Sequence, residues 1–188
     1  MAAGESIDHR GFTLWLTGLS GAGKSTLSSA LAQALRADGR LVEVLDGDEV
    51  RTNLSRGLGF SKEDRDINVE RIGFVARLLA RNGVIAMTAA ISPYRDVRAN
   101  VRKKHADEGV PFIEVFANAS IEALTRRDVK GLYKQALAGD IANFSGVTDP
   151  YEAPESPEIE VHTDAETVDC SVERILKYLA NGGYIKSN

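Results

Sequence analysis

The chemistry in this chain begins with the eight residues GLSGAGKS at positions 18–25, which match the pattern G-x-x-x-x-G-K-[ST]. Glycines in such a loop let the backbone turn tightly, so that successive N–H groups face a chain of phosphates. Gly18, Leu19, Ser20, Gly21, Ala22 and Gly23 form the cradle, and Lys24 is placed to reach the β- and γ-phosphates. The Ser25 hydroxyl is placed to ligate Mg2+, and Thr26 follows in a helix whose start favours an anion. The loop predicts nucleoside-triphosphate binding with magnesium as cofactor, and leaves the acceptor of any phosphoryl group open.

Two further groups have side chains suited to phosphoryl transfer. LDGDEVR at positions 45–51 carries Asp46 and Asp48. One carboxylate there can take a proton from a hydroxyl nucleophile, or hold magnesium through water, and the spacing does not say which. Arg51 suits a bidentate clamp on an anion. The plainer alternative is an Asp-Gly turn followed by a solvated arginine. In GFSKEDRDINVERIG, positions 59–73, Arg65 and Asn68 stand three apart and so share a helix face. Phe60, just before that helix, offers a flat surface to a base.

These residues need a frame, and the hydrophobic pattern supplies one. Short apolar runs at 12–17, 41–45, 84–91, 111–116 and 159–162 read as strands. Helical spacing occupies 25–37 and 64–82, and a closing helix runs over about 167–179. Ser92-Pro93 reads as an N-cap with proline in the first turn, and Ser120 as the cap of a short helix ending near Asp128. Alternating strands and helices predict an α/β fold of three layers, a central parallel sheet flanked by helices on both faces. The stretch 129–157 differs, with three of the five prolines and no sustained periodicity, and reads as a lid or binding loop. The division expected is one domain over 1–188, with a short N-terminal extension at 1–10.

Composition narrows the classes. Hydrophobic residues make up 43% and charged residues 27% of the 188, an ordinary globular balance. A formal net charge of −4 argues against broad nucleic-acid binding. The one cysteine, Cys170, excludes an intramolecular disulfide and any multi-cysteine zinc site. No apolar run approaches the ~20 residues that cross a membrane, and the expected setting is cytoplasmic. His9, His105 and His162 form no ligand spacing, and Arg102, Lys103, Lys104 and His105 read as a solvated basic face at a helix end.

The ordered motifs GLSGAGKST (18–26), DGDEVR (46–51), LGFSKEDRDIN (58–68), ISPYR (91–95), RDVKGLYKQALAGDIANFSG (127–146) and DPYEAP (149–154) resemble the adenylyl-sulfate kinases. The resemblance covers nearly the whole chain and implies the P-loop kinase fold, with ATP and adenosine 5′-phosphosulfate as substrates. It implies that Asp46 and Asp48 lie near the reacting hydroxyl and magnesium, and that Arg51, Arg65 and Asn68 hold the phosphosulfate. Phe60 and Phe144 match aromatics that sandwich its adenine, and Ile91 and Ser92 match the edge of that pocket. Lys130, Gly131 and Leu132 fall in the family's lid, Lys130 near the transferring group, and Arg127 matches a residue beside the ATP adenine. It further implies a homodimer, and association or fusion with ATP sulfurylase. Glu49 stands where many members have asparagine, and MTAA precedes ISPYR where an aromatic is common. Two other readings fit parts of the pattern: another small-molecule P-loop kinase, and a non-catalytic nucleotide-binding regulatory domain.

Overall fold

A computed structural model describes residues 10–128 and 130–186. Most of the extension expected at 1–10, with His9, and Val129 at the start of the expected lid lie outside the described residues. Five strands form one parallel sheet: β1 (Phe12–Thr17), β2 (Val42–Asp46), β3 (Ile85–Ala89), β4 (Phe112–Asn118) and β5 (Ile159–His162), in the order β2-β3-β1-β4-β5. Around it run α1 (Lys24–Ala37), α2 (Gly47–Asn53), α3 (Lys62–Ala80), α4 (Arg95–Asp107), α5 (Ile121–Arg127), α6 (Leu132–Ala138) and α7 (Val168–Asn181).

Every residue of β1 is buried, as a strand covered on both faces requires. Successive side chains point to opposite faces, so Phe12, Leu14 and Leu16 join the layer under α1 and α7, with Leu27, Leu31, Ile175 and Leu179. Trp15 points the other way, into a second cluster with Val69 and Ile72 of α3 and Val97 and Val101 of α4. Those two helices approach closely at Gly73, where a Cβ would lie 2.6 Å from a Val101 methyl. β1 sits between β3 and β4, so the loops leaving the carboxyl ends of these strands open a crevice above the sheet centre.

Two sequence expectations are corrected, at Ser92 and at 102–105, and two further stretches prove to contain short helices. Ser92 does not cap α4: the helix starts at Arg95 with Tyr94 as N-cap, and the Ser92 hydroxyl turns inward to Thr17. DGDEVR is a short helix, α2, whose start Asp46 caps by accepting from the Asp48 N–H. The stretch after Val129 contains α6, set between left-handed Gly131 and Gly139 (φ 67° and 85°). The run 102–105 is no solvated face throughout. Arg102 is partly buried and chelates Glu158 with two bonds of 2.6 and 2.7 Å. His105 is fully buried, its Nδ1–H donating to the Val101 carbonyl at 2.8 Å while Nε2 accepts from Thr13 Oγ1 at 3.0 Å. Burial lowers its pKa and keeps the ring neutral.

Candidate active site

The phosphate loop leaves β1 at Gly18, whose φ of 146° and whose approach to Ala117 leave no room for a side chain: a Cβ would stand 2.4 Å from the Ala117 carbonyl oxygen. Gly21 and Gly23 follow with left-handed backbone, and α1 starts at Lys24. Leu19 and Ala22 pack into the core and anchor the loop from below. Lys24 is 8% exposed, and its Nζ donates to the carbonyls of Gly18 and Leu19 at 2.9 and 2.8 Å. Burial pulls its pKa down to about 8, against the opposing pull of Asp46 and Asp48.

The acidic pair stands beside it. Ser25 Oγ donates to Asp46 Oδ2 at 2.7 Å, and Asp46 Oδ1 accepts the Asp48 N–H at 3.0 Å. Asp46 is therefore engaged through both oxygens. Asp48 reaches across the cleft to Lys130, at 2.7 Å. Both side chains of that pair are exposed, so the attraction is screened and contributes little stability.

Opposite the loop, α2 and α3 converge. Arg51 Nη1 donates to the Gly59 carbonyl at 3.0 Å, and its guanidinium lies 4.4 Å from the Phe60 ring centre. Arg65 is 6% exposed, donates to the Phe60 carbonyl at 3.0 Å and to the Asn143 carbonyl, and stands 3.9 Å from Asp149. Partial burial, and then the nearby Arg65 charge, lower the pKa of Arg51. Two guanidiniums brought this close favour an anion between them. Asn68, one turn on, is buried with an Oδ1 that finds no partner among the described residues.

Between these two groups lies one cavity of about 590 Å3. Of the residues singled out from sequence, it is lined by Ser20, Gly21, Gly23, Lys24, Ser25, Thr26, Asp46, Asp48, Arg51, Phe60, Arg65, Asn68, Ile91, Ser92, Arg127, Lys130, Leu132 and Phe144. Gly18, Leu19, Ala22 and Gly131 do not line it. Gly18 and Ala22 are buried behind the loop, and Gly131 caps α6. Phe60, 56% exposed, sits at the rim, whereas Phe144 is nearly buried. Arg127 donates to the Thr163 carbonyl at 2.6 Å, at the far side of the phosphate loop.

Sequence reasoning missed Tyr133 as a site residue, although KGLYK contains it. Its hydroxyl donates to the Ser20 carbonyl at 2.8 Å, and its ring meets Phe144 edge-on at 5.0 Å. Burial raises its pKa to about 12, so it stays a donor. Also missed was the purpose of ISPYR and DPYEAP, which clamp each other. Tyr94 donates to Asp149 at 2.7 Å, the Glu152 N–H donates to the Pro93 carbonyl at 2.8 Å, and Arg95 binds the Ala153 carbonyl at 2.8 Å.

A parallel sheet of this order, a phosphate loop between β1 and α1, and an acidic pair at the end of β2 facing a second anion pocket define a P-loop kinase. A family profile described as Adenylylsulphate kinase matches residues 10–162. The adenylyl-sulfate kinase of Picosynechococcus sp. is 58% identical over 179 residues, covering 95% of this chain and 99% of that protein. A probable bifunctional SAT/APS kinase 2 of Sorangium cellulosum is 60% identical over 93% of this chain, which spans 29% of that longer protein. Among solved structures, the Mycobacterium tuberculosis APS kinase in complex with AMPPNP and APS superposes with a TM-score of 0.87 at 41% identity, covering 90% of this chain and 98% of that one. The chain belongs to the adenylyl-sulfate kinase family.

Proposed function

We propose that the chain transfers the γ-phosphoryl group of ATP to the 3′-hydroxyl of adenosine 5′-phosphosulfate, giving ADP and 3′-phosphoadenosine 5′-phosphosulfate. The observation that carries this reading is the single cavity joining the phosphate loop to a pocket of two arginines, an asparagine and two phenylalanines. The similar mycobacterial enzyme binds AMPPNP and APS together, which supports a pocket shared by both nucleotides. Arg51 and Arg65 would receive the phosphosulfate. Phe60 and Phe144 would hold the adenine, where stacking adds to burial.

Magnesium fits the donors present. Ser25 Oγ and the Asp46 carboxylate are hard oxygen ligands 2.7 Å apart, and Mg2+ prefers a few such groups together with water and phosphate. When bound, it would neutralise charge on the β- and γ-phosphates. Asp46 is held by Ser25 and by the Asp48 N–H, so we assign it to the metal side and assign Asp48 as proton acceptor for the 3′-hydroxyl. Lys24 would stabilise the phosphates from below and Lys130 from above. The stretch 129–157 would act as a lid excluding water, the competing acceptor. The whole chain would work as one domain, in the cytoplasm and as a homodimer. The bifunctional name of the Sorangium relative supports association with a SAT partner.

The test is ADP release with ATP and Mg2+, run with adenosine 5′-phosphosulfate, AMP, gluconate or no acceptor. Turnover with the phosphosulfate alone is expected. Turnover with another acceptor, or nucleotide binding without turnover, would remove the reading in favour of a different kinase or a regulatory domain.

A further inference from the structure

Among the described residues, Ser92 (φ 43°) and Asn143 (φ 56°) are non-glycine residues with left-handed backbone, and both line the cavity. An L-residue stays in that region only where its surroundings hold it there. In both cases a buried arginine holds the carbonyl. Arg65 donates to the Asn143 carbonyl, and Arg98 Nη1 donates to the Ser92 carbonyl at 2.7 Å. The acceptor pocket accounts for Arg65. It does not account for Arg98, which is 4% exposed, lies near the start of α4 and does not line the cavity.

The other bonds of Arg98 show what it is fixed to. Its Nε donates to Glu114 Oε1 on β4 at 2.9 Å, and its Nη2 donates to the Glu152 carbonyl at 2.7 Å. Glu114 compensates the buried charge and is itself steadied by Arg102 at 3.3 Å. The guanidinium is thus anchored to a central strand, and its fork sets the positions of two loop carbonyls, one in ISPYR and one in DPYEAP. The Ser92 side chain is held separately: Oγ accepts from Trp15 Nε1 at 3.1 Å and donates to Thr17 Oγ1 at 3.0 Å.

We propose that Arg98 is a positioning residue for the acceptor. It keeps Ser92 in its left-handed turn, so that Ile91 and Ser92 form the pocket wall, and ties residues 149–153 to that wall through Glu152. The identity of the acceptor rests on the function proposed above; the control of the turn does not. A planar fork is needed for three acceptors at once, and lysine carries the charge without that geometry.

Arg98→Lys is therefore expected to raise the KM for adenosine 5′-phosphosulfate by about tenfold and to leave the KM for ATP within about twofold. Glycine enters the left-handed region without strain, so a cycle with Ser92→Gly isolates the mechanism. In the Ser92→Gly background the penalty of Arg98→Lys should shrink to about twofold. Trp15 is the only tryptophan and bonds to Ser92, so its emission reads the turn with no substrate present. It should shift to the red in ligand-free Arg98→Lys. If wild type does not use the phosphosulfate, the function reading fails while the emission shift still decides the turn. Should Arg98→Lys not fold, Ser92→Thr, whose β-branch resists the turn while its hydroxyl can still accept from Trp15, should give the same shift. An equal rise in both KM values, an undiminished penalty beside Ser92→Gly, or unchanged Trp15 emission in the folded variants would overturn the proposal.

Discussion

At the nucleotide end of the cavity, eight consecutive residues running from the end of β1 into the start of α1 carry the phosphate motif. The Lys24 side chain, bonded to carbonyls five and six positions back, holds them in shape. At the acceptor end the wall comes from α2, α3, the turn after β3 and the stretch after α5. Side chains hold it together across long sequence distances: Arg98 to Glu152 spans 54 positions, Arg65 to Asn143 spans 78, and Tyr151 to Thr17 spans 134. On the function proposed above, phosphate binding would be a local property of the chain, whereas acceptor selection would be a property of the assembled fold. A change in the loop should disable the reaction outright. A change on the opposite wall should weaken one ligand and spare the other.

The largest effect is expected at the loop. Lys24→Ala should lower turnover about a thousandfold or more at saturating substrates, since a buried cation at the phosphates is lost; ADP release measures it, and a modest loss would mean the loop is not the reacting centre. The two aromatics sharpen the contrast next. Phe60→Ala, at the exposed rim, should weaken acceptor binding about tenfold and change unfolding free energy by less than about 0.5 kcal/mol. Phe144→Ala, nearly buried in the core cluster, should weaken the acceptor similarly and also cost about 3 kcal/mol of stability. Titration and denaturant unfolding of the same samples separate the two cases.

A smaller effect belongs to the link between the ends. Tyr133→Phe removes the bond to the Ser20 carbonyl and keeps the ring against Phe144, so nucleotide affinity should fall by roughly 1 kcal/mol, about fivefold. The smallest signal is protonic. With a pKa of about 8, Lys24 is about half charged at pH 8 in the free protein, and phosphates raise its pKa. Binding of a non-hydrolysable ATP analogue should take up about half a proton at pH 8 and almost none at pH 6.5. Calorimetry in buffers of different ionisation enthalpy reads this directly, and proton release at pH 8 would reverse the sign.

The same contrast explains how much the sequence disclosed. The periodicity of β1 and β5 located both strands to the residue, because both carry clear apolar patterns. The short helices α2 and α6, with 7 residues each, span too few turns for a stripe to show, and α6 lies between glycines. The motif 18–25 was legible because its physics lies within consecutive residues. Arg51, Arg65, Asn68, Phe60 and Phe144 were legible as types, and through family resemblance, but their convergence needed the fold. Ser92 was misread as a cap because nothing local indicates that its hydroxyl faces Trp15 and Thr17, more than 70 positions away. The buried role of His105 was hidden likewise, since its partner Thr13 lies 92 positions earlier.

The most direct test of the division between the two ends is calorimetric titration of Arg65→Ala, beside wild type, with a non-hydrolysable ATP analogue and separately with adenosine 5′-phosphosulfate. Acceptor affinity is expected to fall by about tenfold or more, with nucleotide affinity unchanged within about twofold. Equal losses for both ligands would show that the cavity does not divide in this way.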